Sequence, residues 1–135
     1  MDFNSILKPG MRAQKSQTVT DASTAYAIGS GGLPVFSTPS MITFMEVTSV
    51  LAVDPFLPKG WSTVGTSLDV KHLAATPVGM EVRCEAELLE VDGRRLNFKV
   101  EVFDALDKIG EGTHGRFIVE NERFMQKVKE KMSKH

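Results

Sequence analysis

Between Thr38 and Val53 the chain offers no Lys or Arg, and Glu46 is the one charged side chain among residues that are otherwise apolar or hydroxylic. Met41, Phe44, Met45, Thr48, Leu51 and Ala52 follow the spacing of one helix face, and Ile42, Val50 and Val53 carry apolar surface round to the flank that bears Glu46. A helix with no charged solvent side has to be enclosed by the rest of the chain. Inside such an enclosure an ionised carboxylate is costly unless paired, so Glu46 is either satisfied by backbone or an Arg, or it is used chemically. At the start of the segment Thr38 can act as N-cap with Pro39 at the first helical position. The open N–H groups there favour an anion or a polarised carbonyl.

The chain beyond the helix is suited to enclose it. Asp54-Pro55 and Pro58-Lys59-Gly60 stop the helix, and four segments with strand character succeed it: Ser62 to Val70, Met80 to Val91, Arg94 to Phe103 and Lys108 to Glu120. In the second, Met80, Val82, Cys84, Ala86 and Leu88 alternate with Glu81, Arg83, Glu85 and Glu87. In the third, Leu96, Phe98, Val100 and Val102 alternate with Arg95, Asn97, Lys99 and Glu101. Such alternation means one packed face and one wet face, the habit of an antiparallel sheet. Asp92-Gly93 predicts a two-residue hairpin turn between them. Gln14 to Thr20 is a further candidate strand, Ala22 to Ile28 a short helix or turn, and Gly29 to Pro34 a loop; Asn121 to Met132 is amphipathic and predicts a surface helix. The expected fold is α+β: a curved antiparallel sheet wrapped round a central buried helix, the hot-dog arrangement. The open edge of such a sheet in a small chain predicts a homodimer.

Composition narrows the function classes. At 135 residues the chain is one domain, spanning 1–135, and its net charge of −1 with pI ≈ 6.3 argues against nucleic acid as a partner. One cysteine, Cys84, excludes an internal disulfide framework, and no Cys/His cluster suggests a metal. With neither a signal-like start nor a long apolar run, the expectation is a cytoplasmic protein that does not enter a membrane.

Several short motifs, in order, carry a resemblance. Val35-Phe36-Ser37-Thr38, Met45-Glu46, Gly65-Thr66, His72-Leu73-Ala74-Ala75-Thr76-Pro77 with Gly79, Gly93-Arg94-Arg95-Leu96 and Ile109-Gly110-Glu111-Gly112-Thr113-His114 resemble the fluoroacetyl-CoA thioesterase family of hot-dog proteins. The likeness runs from about Val35 to the last helix. It implies acyl-CoA thioester hydrolysis at a dimeric site, with Thr38, Glu46 and His72 as the catalytic set and a backbone N–H at Gly65 holding the thioester oxygen. The fluoroacetyl-specific members close their pocket with an aromatic lid. Here that loop reads Gly29, Gly31, Gly32 and Leu33, with Phe36 the only aromatic left nearby, so a short or compact acyl-CoA is expected rather than fluoroacetyl specificity.

The chemistry is coherent with those residues. A thioester needs a nucleophile or activated water, a route for the proton and N–H groups for the oxyanion. Glu46 can attack or act as base, His72 can shuttle the proton, and Thr38 can orient either; no cofactor is required beyond the coenzyme A of the substrate. Arg116, Arg94, Arg95 and the Lys-rich last helix are candidate contacts for the coenzyme A phosphates, with a solvated face as the alternative. Cys84 belongs to the core by its alternation, and His114 to the sheet's other face or an interface. One difficulty is geometric: Thr38 and Glu46 are eight residues apart, about 12 Å along a helix. Either Thr38 folds back from a loop or the set meets across a dimer. A hydratase, or a protein that binds acyl-CoA without turnover, are the competing readings.

Overall fold

The computed structural model describes residues 1–135. A strand β1 (Arg12–Thr18) and a one-turn helix α1 (Ala25–Ile28) precede the long helix α2 (Thr38–Val53). Then come β2 (Trp61–His72), β3 (Glu81–Asp92), β4 (Arg95–Phe103), β5 (Lys108–Glu120) and a terminal helix α3 (Asn121–Ser133). The five strands form one antiparallel sheet in the order β1-β3-β4-β5-β2.

The alternation in β3 and β4 turns Val82, Cys84, Ala86, Leu88, Leu96, Phe98, Val100 and Val102 inward, where they meet Met41, Phe44, Met45 and Ala52 of α2. The helix lies close on β5 because Gly110 presents no side chain: a Cβ there would collide with the Met41 sulfur. The hydroxyls of Thr48 and Ser49 are buried yet satisfied, donating to the carbonyls of Phe44 and Met45 at 2.7 and 2.9 Å. Cys84 is a core thiol, and burial pushes its pKa up to about 11, which keeps it protonated and unreactive.

Three local expectations shift. Leu51 is not on the packed face; it is 44% exposed, as Val47 is at 39%, so this chain alone leaves one flank of α2 uncovered. The hairpin turn is Gly93-Arg94, one residue later than expected, since Asp92 pairs with Arg95. Gly93 has φ +62° and no other residue type has positive φ, which fits a Gly-first type II′ turn. His114 faces inward on β5, fully buried beside Phe98 and not on the outer face. No helix is long and apolar enough to cross a membrane.

Candidate active site

The start of α2 sets the first cluster. Ser37, not Thr38, is the N-cap: its side chain accepts the Ser40 N–H at 3.1 Å, which makes Thr38 the first helical residue and Pro39 the second. The Thr38 hydroxyl is thereby released from capping and lies 2.7 Å from Nδ1 of His72. His72 ends β2, and the segment after it is anchored by Thr76, whose buried hydroxyl donates to Asp104 at 2.9 Å in the β4–β5 turn. Nε2 of His72 is buried and makes no hydrogen bond. Burial lowers the His72 pKa, offset in part by the Ala74 backbone, so the ring is neutral at pH 7. Beside this pair is a cavity of ≈ 410 Å³ lined by Ala25, Val35, Phe36, Thr38, His72 and Ala74. Phe36 is buried and tied through its N–H to the Thr76 carbonyl at 2.9 Å.

The second cluster surrounds Glu46, two turns further along the helix. Its carboxylate lies against Gly65 of β2: a Cβ at Gly65 would fall 2.7 Å from Oε2. Gly65 needs no unusual backbone angle, so what it supplies is space. The strand also bulges here, since Gly65 pairs with Arg116 and Ser67 with Gly115, leaving Thr66 without a partner on β5. Arg116 approaches Glu46 with Nη1 3.7 Å from Oε2, an ion pair too long for a hydrogen bond. Glu46 is less enclosed than its apolar neighbours suggest, with 38% of its side chain exposed.

Arg116 does not serve as an exposed phosphate contact. It is only 6% exposed and gives its donors inward, Nε and Nη2 to the hydroxyl and carbonyl of Thr63 at 2.8 and 2.9 Å, and Nη1 to Nε2 of His114 at 3.1 Å. Nδ1 of His114 bonds the Ser67 carbonyl at 2.8 Å. A carbonyl only accepts, so the ring proton is on Nδ1 and Nε2 receives the Arg116 proton. Burial is the main cause of a lowered His114 pKa, with Arg116 adding to it against Ser67 and Glu46. Thr63, His114 and Asp54, which accepts from Thr63, are the members that sequence reasoning missed. The signal was present for one of them: His114 alternates along β5 with Arg116 and Ile118 and shares their inward face.

Of the expected site residues, then, one chain joins Thr38 to His72 and Glu46 to Gly65 and Arg116, and keeps the two groups apart by two turns of helix. The family model described as fluoroacetyl-CoA-specific thioesterase matches residues 19–122, which include every member of both clusters. The chain belongs to this family. The fluoroacetyl-CoA thioesterase of Streptantibioticus cattleyicolor is 44% identical over 97 residues, covering 72% of this chain and 70% of that protein. A structure of the fluoroacetyl-CoA thioesterase FlK superposes with a TM-score of 0.87 at 36% identity, covering 93% of this chain and 97% of that one. A thioesterase superfamily member from Thermus thermophilus gives 0.85 at 28% identity over 95% and 97% of the two chains. A hot-dog-like protein from Thermanaerovibrio acidaminovorans gives 0.89 at 25% identity over 97% of each.

The loop after α1 is held at its base by backbone hydrogen bonds. Ala25 and Tyr26 donate their N–H groups to the carbonyls of Val35 and Leu33 at 2.9 and 3.1 Å, which holds Gly29 to Gly32 at the tip of a short excursion. Phe36 is not the only aromatic nearby, because Tyr26 stands at the base of this loop with its ring largely exposed.

Proposed function

We propose that this thioesterase-family chain hydrolyses a short or compact acyl-CoA to the free acid and coenzyme A, as a homodimer whose two clusters meet across the subunit interface. The observation that carries the reading is the division of the site: a Thr38–His72 pair 2.7 Å apart and a separate Glu46 carboxylate against Gly65. Neither cluster alone supplies a reacting carboxylate, a proton route and oxyanion donors together.

The sheet edges favour a particular pairing. β1 is a short edge of seven residues carrying Arg12 and Lys15, features that blunt edge-to-edge association. β2 is a twelve-residue edge, and Gly65 to Asp69 are exposed without interruption. Antiparallel pairing of β2 with its own copy about Leu68 and Asp69 brings His72 of one protomer beside Gly65 of the partner subunit.

In the assembled site the acyl carbonyl lies between Glu46 of one protomer and the Thr38–His72 pair of the other, its oxygen facing a backbone N–H at Gly65. Glu46 attacks the carbonyl carbon or takes the proton of the water that does. The tetrahedral oxyanion collapses, the C–S bond breaks and coenzyme A leaves as the thiolate; where Glu46 itself has attacked, water then cleaves the Glu46–acyl anhydride and releases the free acid. Neutral His72, held by Thr38 with Nε2 unbonded, carries the proton given up by the attacking water, directly or by way of Glu46, to the coenzyme A thiolate. Carbon keeps its oxidation level throughout, so no redox cofactor takes part. The acyl group rests in the cavity beside Phe36 and Val35.

Thiol release from acetyl-, propionyl-, butyryl-, phenylacetyl- and fluoroacetyl-CoA tests this reading. The expected result is turnover by the wild type and its loss in both Glu46→Gln and His72→Ala with the fold retained. Binding of coenzyme A esters without turnover of any of them would overturn it in favour of a binding protein.

A further inference from the structure

At the end of α2 the chain holds a carboxylate that the reaction itself does not use. Asp54 comes directly after the last helical turn, and its two oxygens accept the Thr63 N–H at 3.2 Å and the Thr63 hydroxyl at 2.6 Å. A hydroxyl has one proton, so donation to Asp54 leaves the same oxygen only as an acceptor, and what it accepts is Nε of Arg116 at 2.8 Å. The Thr63 carbonyl takes Nη2 at 2.9 Å and His114 takes Nη1 at 3.1 Å. One relay reaches Asp54, from Nε through the Thr63 hydroxyl, while Nη1, the nitrogen nearest Glu46 at 3.7 Å, is given to His114.

Two carboxylates therefore share one buried guanidinium unequally. Burial lowers the Arg116 pKa, and of the two acids that oppose this Asp54 has the larger effect and Glu46 the smaller. With Glu46 as its only counter-charge, a buried Arg would be expected to close on it in a direct, short pair. Such a pair would occupy the lone pairs that the reaction needs.

We infer that Asp54, acting through Thr63, is a positioning residue that holds Arg116 drawn back from Glu46 and so keeps the Glu46 carboxylate free to react. This rests on Glu46 being the reacting carboxylate, as proposed above. The charged and titratable groups that the structure sets around it are Arg116 and His114 from β5 and Asp54 from the end of its own helix; β2 contributes Thr63 and Gly65, which do not titrate.

The test is steady-state hydrolysis of the best thioester by the full-length Asp54→Asn, Thr63→Val, Thr63→Ser and Glu46→Gln proteins. Asp54→Asn and Thr63→Val are expected to lower kcat by about ten- to a hundredfold with little change in KM, because the reacting group is misplaced and not the substrate. Thr63→Ser keeps the hydroxyl and recovers most of the rate. A crystal structure of the Asp54→Asn protein should show Arg116 within about 3 Å of Glu46. Wild-type kcat in Asp54→Asn or Thr63→Val, while Glu46→Gln is inactive, would overturn the inference and leave the proposed function standing. A loss of thermal stability alone, with kcat unchanged, would overturn it equally. Retained turnover in Glu46→Gln would overturn both.

Discussion

The Thr38 hydroxyl reaches His72 because Ser37, one residue earlier, caps the helix. Thr38→Val keeps the volume and removes that bond, so kcat/KM should fall about a hundredfold in a thiol-release assay, with Thr38→Ser recovering most of it. The second residue-scale prediction concerns space. Since a Cβ on Gly65 would lie 2.7 Å from Glu46 Oε2, Gly65→Ala displaces the carboxylate by a few tenths of an ångström or more. A loss of about a hundredfold in kcat/KM is expected, with a far-ultraviolet spectrum like the wild type's. At this scale the sequence pointed to residues that the fold brings together, Thr38 with His72 and Glu46 with Gly65, and was poor on how they are held. Both Ser37 and Thr38 are capable caps, and only the path of the backbone decides which hydroxyl is turned back to Ser40. Arg116 falls on the inward alternation of β5, but nothing in one dimension shows what satisfies its charge there, because its partners Thr63 and Asp54 lie more than fifty positions away.

Among the elements, α2 carries the most weight, since it bears Thr38 at its start, Glu46 in its middle and Asp54 at its end. Ser37→Ala removes its cap and should cost about 1 kcal/mol, measurable by urea unfolding. It should also lower activity, because the first turn that orients Thr38 frays. The absence of charge along α2 announced its burial on one side only, since Val47 and Leu51 stay exposed, and period-two patterning placed β3 and β4 to within a residue. What that pattern does not contain is the register. The bulges between Leu88 and Glu90 and between Gly65 and Ser67, and the turn at Gly93-Arg94, are set by strand pairing and not by the local residues. Leu51 was placed in the core by spacing, whereas the sheet curves round only part of the helix. Its exposure belongs to the flank of α2 on the β1 side, where Val47 lines a groove with Lys15 and Gln17.

For the whole molecule, acid is the condition to which this architecture is most sensitive. His72 and His114 both have pKa values lowered by burial. Their neutral forms are the folded forms, so the unfolded chain binds more protons once pH falls below its histidine pKa of about 6.5. Stability from these two groups is therefore full above that value and is lost progressively as pH falls through their folded pKa values. Thermal unfolding from about pH 7.5 to 5 should show the midpoint falling. His114→Gln should flatten part of that slope.

The same scale holds the central claim, that two clusters in different protomers make one site. The fold was legible because a charge-free helix and alternating strands admit few solutions; the proposed assembled site was not, because on that proposal no single chain contains it. The direct measurement is thiol release after unfolding and refolding Glu46→Gln and His72→Ala proteins together. A shared site predicts that each is inactive alone and that the mixture recovers about a quarter of the wild-type rate, since half the dimers are mixed and each mixed dimer has one intact site. A mixture as inactive as its components, with mixed dimers shown to form, would contradict the account.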